Sequence, residues 1–509
     1  MLISAEVNES AADDDGRPIL EGAMAPPEGA HQARRSKLGL GVLTLYGSGA
    51  AVENITTYGV GGLLPFYLTI VCGLSGTEAG IATGLTLVVD SIFDPAVGSL
   101  SDNTRSRHGR RHPFMLAGIL PTVIAYGLLF SVPKGLGGGL EFLYVLGALF
   151  AARIAISIFQ VPYFALGAEL SEDYAERSTI VAWRVVFTVL ATFIAVFLSW
   201  GLFLKGNGRF VASAYSPLAW SFGGVVIVAA LLSTIGTLRA RGRLHSAADG
   251  ARFSVAQFLR EAMEVLRNRS FRSLFFTCLI LFAALGAAGA LTVHANTFFW
   301  KLSSGQIASL GYLSPVGVLI GVFGAALLAR MIEKRWIAML GLALIGVAQV
   351  APVSLRLGHI IGPSLYLPTL ALATVLGGLG GSVATISFQS MMADAADEHE
   401  HLFGARREGL YFAGITLSAK ASSGLGALIG LVALDVIHFP HGEGATPGKL
   451  AAIPPEIIRN LGITYGPGAA LFTAVSVIIL LGYKLTKEDH TRILGDLKQR
   501  RAGASSTAG

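Results

Sequence analysis

The chain has 509 residues, of which 53% are hydrophobic and only 14% charged, against about 25% charged in a soluble domain. Apolar runs such as 219–238, 307–328 and 365–388 hold no Asp, Glu, Lys or Arg and are long enough to cross a hydrocarbon core of about 30 Å. A water-soluble globule is thereby excluded, and so is a β-barrel, whose strands would alternate apolar and polar residues. An all-α polytopic membrane protein is expected.

In chain order, residues 1–37 carry Asp13, Asp14, Asp15, Pro18, Pro26 and Pro27 with little apolar content, the composition of a disordered lead. The opening has no basic segment followed by an uninterrupted apolar one, so no cleavable signal is expected. Twelve spans come next, centred in 40–71, 79–100, 114–132, 141–168, 181–203, 217–238, 273–299, 306–329, 336–355, 363–391, 410–435 and 467–484. They divide into a six-helix bundle over 38–240 and a second over 271–484, joined by a linker at 241–270 with an amphipathic stretch; a short solvated tail occupies 485–509. Such a division suits a transporter with its solute near mid-membrane between the halves, although a channel or membrane enzyme could also have twelve spans.

The 63 glycines signal close helix packing in lipid, and Cys72 and Cys278, inside apolar runs, read as packing residues. Most of the 38 Lys and Arg fall in alternate loops, notably 101–113 and 239–272. The positive-inside rule then puts those loops and both chain ends in the cytoplasm. The basic excess needs no nucleic-acid partner.

Ionisable groups within spans cost about 2.5–3.5 kcal/mol each on insertion scales, so each survivor asks for a role. Asp90 and Asp94 stand i, i+4 on one helical face and can share a proton or a cation, with Pro95 directly after them. Lys420, alone in 415–434, should find a carboxylate, Asp90 or Asp94 being the simplest partner. Arg184 either reaches a substrate or snorkels at the start of its span. Arg153 either lines the pathway or pairs structurally, and His294 reads as a packing residue more than a ligand. A membrane enzyme should show metal-spaced histidines or a nucleophile beside a base; the His399 and His401 pair, in an acidic loop, is neither.

Residues 90–113 read DSIFDPAVGSLSDNTRSRHGRRHP. Gly98, Asp102, Arg110 and Arg111 there resemble the basic loop between spans two and three of the major facilitator superfamily. The surrounding D-x-x-x-D-P and T-R-S-R-x-G-R-R-x-P resemble the glycoside–pentoside–hexuronide:cation symporters, the melibiose-permease-like family. Residues 392–409, MADAADEHEHLFGARREG, are similar to that family's loop between spans ten and eleven, and 160–164, QVPYF, to its span-four motif.

This resemblance implies a major facilitator fold and cation-coupled symport of a small solute by alternating access, with no cofactor beyond a coupling ion. It implies a bacterial inner-membrane protein, acting as a monomer in the lipid bilayer. It also implies that Asp90, Asp94, Ser157 and Lys420 handle the coupling cation, a sodium ion at Asp90 and Asp94 being the only metal in prospect. Asn54, Gln160, Phe164 and Arg184 would line the substrate site. Gly98, Asp102, Arg110 and Arg111, with Asp394 and Asp397 in the second half, would gate the cytoplasmic end.

Four positions depart from the family's pattern. Gln160 and Asn54 stand where it has aspartates, Phe164 where it has a tryptophan that packs on sugar, and Phe93 where it has an asparagine beside the cation. Losing oxygen donors favours a proton over sodium, because a proton needs one basic group and sodium several ligands. A neutral sugar or glycoside is the leading solute, with a hexuronide or other organic anion, or a lysolipid, as alternatives.

Overall fold

The computed structural model describes residues 38–133, 135–171, 173–238, 260, 263–404, 408–442 and 453–507. The expected disordered lead and most of the linker at 241–270 lie outside them. Among the described residues, twelve helices are long and apolar enough to cross a membrane: α1 Leu40–Cys72, α2 Gly76–Asn103, α3 His112–Leu129, α4 Gly139–Glu169, α5 Glu176–Phe203, α6 Ala212–Leu238, α7 Arg269–Phe299, α8 Ser304–Leu328, α9 Lys334–Leu357, α10 Pro363–Phe403, α11 Leu410–Val436 and α12 Pro455–Leu480. A thirteenth, α13, covers Lys487–Thr507.

Neighbour relations repeat between the halves. In the first, α1 packs on α5 and α6, α2 on α4, and α3 on α4 and α6; in the second, α7 packs on α11 and α12, α8 on α10, and α9 on α10 and α12. The halves meet where α2 runs along α11 and α5 along α8, two contacts equivalent under exchange of the halves. This is the major facilitator arrangement of two six-helix bundles.

Several helix starts have local causes. Ser75 accepts from the Glu78 amide at 3.1 Å while the Glu78 carboxylate accepts from the Ser75 amide at 2.9 Å, and Ser303 and Gln306 form the same reciprocal cap on α8, satisfying donors the first turn leaves open. Asp173 and Asn268 cap α5 and α7 with their side chains. Glycine contacts then set how closely α7 and α11 approach. A Cβ on Gly426 would stand 2.0 Å from the Ala283 carbonyl oxygen, and one on Gly286 2.2 Å from that of Ser423. Gly426→Val therefore forces two backbones apart and is expected to destabilise the second bundle by about 1–3 kcal/mol or more, read as a lowered unfolding temperature of the purified protein.

Three expected boundaries change. The last span begins at Pro455 rather than 467, because a wide turn at Thr464–Gly468 absorbs Pro467 within the helix. Helix α10 runs on past 391 to Phe403 and ends at Gly404, whose φ of 75° suits a residue without a Cβ. The tail is a helix rather than a solvated extension: Ile493 and Leu497, one turn apart, are buried. Thr486 caps it, accepting from the Asp489 amide at 3.1 Å and donating its hydroxyl to the Asp489 carboxylate at 2.7 Å, which holds that carboxyl below the usual carboxylate range.

Among the described residues, wide turns bonded i to i+5 lie inside α1, at Tyr58–Leu63, and inside α12, at Thr464–Gly468, and form the last turns of α1 at Tyr67–Cys72, of α5 at Phe197–Phe203 and of α7 at Ala295–Phe299. Such turns are rare and concentrate at functional sites.

Candidate functional site: a central cavity flanked by two ion pairs

A cavity of about 630 Å³ opens between the halves, within the range of small-molecule sites. Its polar lining includes Tyr58, Trp200, Asn296 and Tyr465, and each of these four lies in one of the wide turns. The Trp200 indole N–H donates to the Tyr58 hydroxyl at 2.9 Å. Thr83, Thr86, Thr292, Ser314 and Thr374 add hydroxyls, and Arg153 and Lys420 add charge.

Both cations already hold a carboxylate. Arg153 on α4 donates from Nε to Asp90 Oδ1 at 3.0 Å and from Nη2 to Asp90 Oδ2, taking both oxygens of a residue only 4% exposed. Lys420 on α11 binds Asp94 Oδ2 on α2, so this ion pair spans the two halves. The other oxygen, Asp94 Oδ1, is buried and without a hydrogen-bond partner among the described residues. Helix α2 continues through Pro95, which keeps Asp90 and Asp94 on one face. Ser157, one turn beyond Arg153, is buried, and Phe93 is half-buried.

The residues expected to bind substrate are not in the cavity wall. They form a cluster on the first half, nearer the end where the 101–113 loop lies, hereafter the basic end. The Arg184 guanidinium faces Glu53 at 3.5 Å and stacks over the Phe164 ring at 4.7 Å from its centre. Asn54 Oδ1 accepts from the Thr192 hydroxyl at 3.3 Å, and Gln160 lies half-buried one turn before Phe164. Tyr58, Trp200 and Tyr465 carry no charge and do not stand out in the sequence; the wide turns that aim them leave no signature in hydropathy.

Charge clusters mark the basic end. Glu169 Oε1 accepts from Arg110 Nη2 at 2.8 Å and from Arg111 Nη2 at 2.9 Å, Arg111 Nη1 donates to the Ser101 hydroxyl at 2.7 Å, and Arg111 also meets Asp102. These contacts tie α2, α3 and α4 together. Gly98 is not a tight approach here, since a Cβ would find only Val161 Cγ1 at 3.6 Å. In the second half, Lys334 binds Asp394 at 2.7 Å, and His490 Nε2 of α13 donates to Asp397 Oδ2 at 3.0 Å. The ion pairs named here each join helices of the same half.

Bonds between halves gather at the opposite, far end. Asp435 at the end of α11 accepts from the Gly76 and Thr77 amides at 2.8 and 2.7 Å and from the Thr77 hydroxyl at 2.6 Å. Arg209 donates to the Leu302 carbonyl at 3.0 Å, and the Ser304 hydroxyl to that of Leu204 at 2.9 Å. His294, fully buried, shares a 2.8 Å hydrogen bond with Thr69 across α7 and α1, amid Phe66, Phe298 and Phe439. These bonds hold the two halves together at the far end.

Comparison with known proteins agrees with this architecture. The chain is 23% identical to the isoprimeverose transporter of Lactiplantibacillus pentosus, over 87% of this chain and 88% of that one. It is also 23% identical to the glucuronide carrier protein homolog of Escherichia coli, over 88% and 94%. A crystal structure of the nucleoside transporter NupG superposes with a TM-score of 0.58 at 11% identity, covering 87% of this chain and 98% of that one, which shows the shared fold. The sequence profile described as MFS/sugar transport protein matches residues 45–487. A cavity walled by both halves of a twelve-helix bundle, together with that match, makes the chain a multi-pass membrane transporter, not an enzyme, and a member of the glycoside–pentoside–hexuronide:cation symporter family within the MFS/sugar transport proteins.

Proposed function

We propose that this transporter couples entry of a proton to uptake of a neutral sugar or glycoside by alternating access, and that the structure is its inward-facing form. The observation that carries the reading is the Asp94–Lys420 pair: it joins the two halves, and Asp94 keeps one buried oxygen unpartnered. A proton arriving there discharges the carboxylate, frees Lys420 and removes a bond that holds α2 against α11. Occupancy of Asp94 thus biases the equilibrium between the two facing states, which is what coupling requires. The possible coupling ions are the proton and sodium, and one carboxylate oxygen suffices for the former. The proposed cycle calls for no other ion or cofactor.

A neutral solute suits the lining. Tyr58, Trp200 and Tyr465 offer ring faces, and Asn296 with the threonines offers donors and acceptors for hydroxyls. Arg153, Lys420 and Arg184 each face a carboxylate of the chain in this form; protonation of Asp94 releases Lys420 alone, and Arg153 and Arg184 stay engaged, away from the charge of a hexuronate. Asn54, Gln160, Phe164 and Arg184 then lie on the solute's path toward the basic end, in contact with it as the cavity empties. The Lys- and Arg-rich loops favour a cytoplasmic position for that end and both termini, and we take the transporter to act as a monomer in a bacterial inner membrane.

The test is uptake into proteoliposomes under an imposed pH gradient, acid outside, with neutral glycosides, pentosides and hexuronates compared at matched membrane potential. Accumulation of a neutral glycoside above the external level, abolished by a protonophore, is expected. Accumulation of hexuronates alone, or uptake indifferent to the gradient, would overturn the reading.

A further inference from the structure

We propose that Arg153 is a built-in substitute for a sodium ion: its guanidinium occupies Asp90 permanently, excludes sodium from the paired-carboxylate face of α2, and leaves Asp94 as the only coupling carboxylate. The inference rests on the transporter reading above and replaces the expectation that Asp90 carries a travelling cation.

Three observations support it. The guanidinium engages both Asp90 oxygens, one nitrogen to each, the forked match of guanidinium to carboxylate. Asp90 is almost wholly buried while Arg153 lines the cavity, so the guanidinium stands between the carboxylate and the space from which an ion would come. The two carboxylates are also treated differently: Asp90 has no oxygen left over, whereas Asp94 Oδ1 is unpartnered.

The chemistry depends on the kind of cation. An arginine is charged at every accessible pH and is tethered to α4, so it satisfies Asp90 without being released to either side. A sodium ion brought to the same oxygens would sit against a fixed positive charge and would need further oxygen ligands, in a place where Phe93 is the neighbouring side chain on α2. Asp90 keeps one charge state through the cycle, and a group that never changes occupancy cannot couple. Arg153 thereby becomes an ion-selectivity residue.

Sodium-specific stabilisation of the purified protein, measured as unfolding temperature in sodium against choline at equal ionic strength, tests this without any solute. Wild type and Arg153→Lys, which keeps a tethered cation, are expected to show no sodium-specific shift. Arg153→Gln vacates Asp90 and is expected to gain one, with about fivefold or greater sodium stimulation of uptake. The paired variant D90N/R153Q removes the ion pair without leaving a lone charge, and covers the case in which Arg153→Gln does not fold. Whatever its turnover, it is expected to remain driven above equilibrium by the pH gradient.

A sodium-specific shift in wild type, a folded Arg153→Gln indifferent to sodium, or a D90N/R153Q protein that exchanges solute but no longer accumulates it would each overturn the proposal. Failure of the broader transport reading looks different: wild type itself would then accumulate no glycoside, while the sodium measurements would still report on Arg153.

Discussion

Asp94→Asn abolishes proton-driven accumulation while solute exchange continues. An amide cannot take up the proton that the Asp94 carboxylate is proposed to carry, so the link between gradient and facing state is lost. Labelled solute then enters proteoliposomes only until inside and outside levels match. The substitution also strips Lys420 of its partner; Lys420 is half-buried and lines the cavity, so water offsets only part of the cost of the unpaired charge. The single variant is therefore expected to unfold at lower temperature as well. Combining it with Lys420→Met removes both charges and restores stability without restoring accumulation. The measurements are the steady-state accumulation ratio and counterflow in the same vesicles; an Asp94→Asn protein that still concentrates solute would show that coupling resides elsewhere.

Asp435→Ala opens the far end. Its carboxylate collects three hydrogen bonds from the first turn of α2, where the helix dipole also favours a negative charge. Hydrogen bonds to a charged group contribute about 1.5–3 kcal/mol each. Water repays part of that loss when the halves separate, and a net change of about 3 kcal/mol shifts the ratio of facing states on the order of a hundredfold. The shift is read with a cysteine at Thr292, a cavity-lining position, in a background whose Cys72 and Cys278 are serine. A membrane-impermeant thiol reagent applied from the far side is expected to label it at least about tenfold faster in Asp435→Ala. Equal labelling would mean that the seal depends on Thr69–His294 and the loop contacts instead.

Much of the fold is legible in the sequence because lipid imposes simple demands. Length and the absence of charge locate all twelve spans, though not the start of α2, which the Ser75 and Glu78 cap sets ahead of the apolar run. The ion pairs are half legible. Lys420 has to find a carboxylate, and the helical spacing offers Asp90 or Asp94 equally; only the packing of α4 beside α2 gives Asp90 to Arg153 and leaves Asp94 for α11. The cavity is the least legible part. Asn54, Gln160, Phe164 and Arg184 stand out as polar or family-matched positions, yet Tyr58, Trp200 and Tyr465 form the wall, and nothing in composition distinguishes them from other membrane aromatics. The tail misleads because its mean composition is polar, while Ile493 and Leu497, which dock it, are too few to show in that mean.

The wide turns inside α1 and α12 make each of those spans two half-helices phased independently. A turn bonded i to i+5 holds one residue more than an α-turn in nearly the same axial length, so the half-helix beyond it is rotated by about 100° relative to an uninterrupted helix. In α1, Glu53 and Asn54 precede the first such turn and Tyr58 begins it, which uncouples the face shown near the basic end from the face shown to the cavity. Removing a single residue between Tyr58 and Leu63 would keep the span long enough for the bilayer yet swing everything from Leu64 to Cys72 out of register. Thr69 would turn away from His294, and the far seal would lose one of its bonds with no residue in the seal altered. Relatives lacking the extra residue would betray themselves as one-position gaps inside otherwise unbroken hydrophobic segments, and such gaps would mark a redesigned solute pocket more directly than substitutions do.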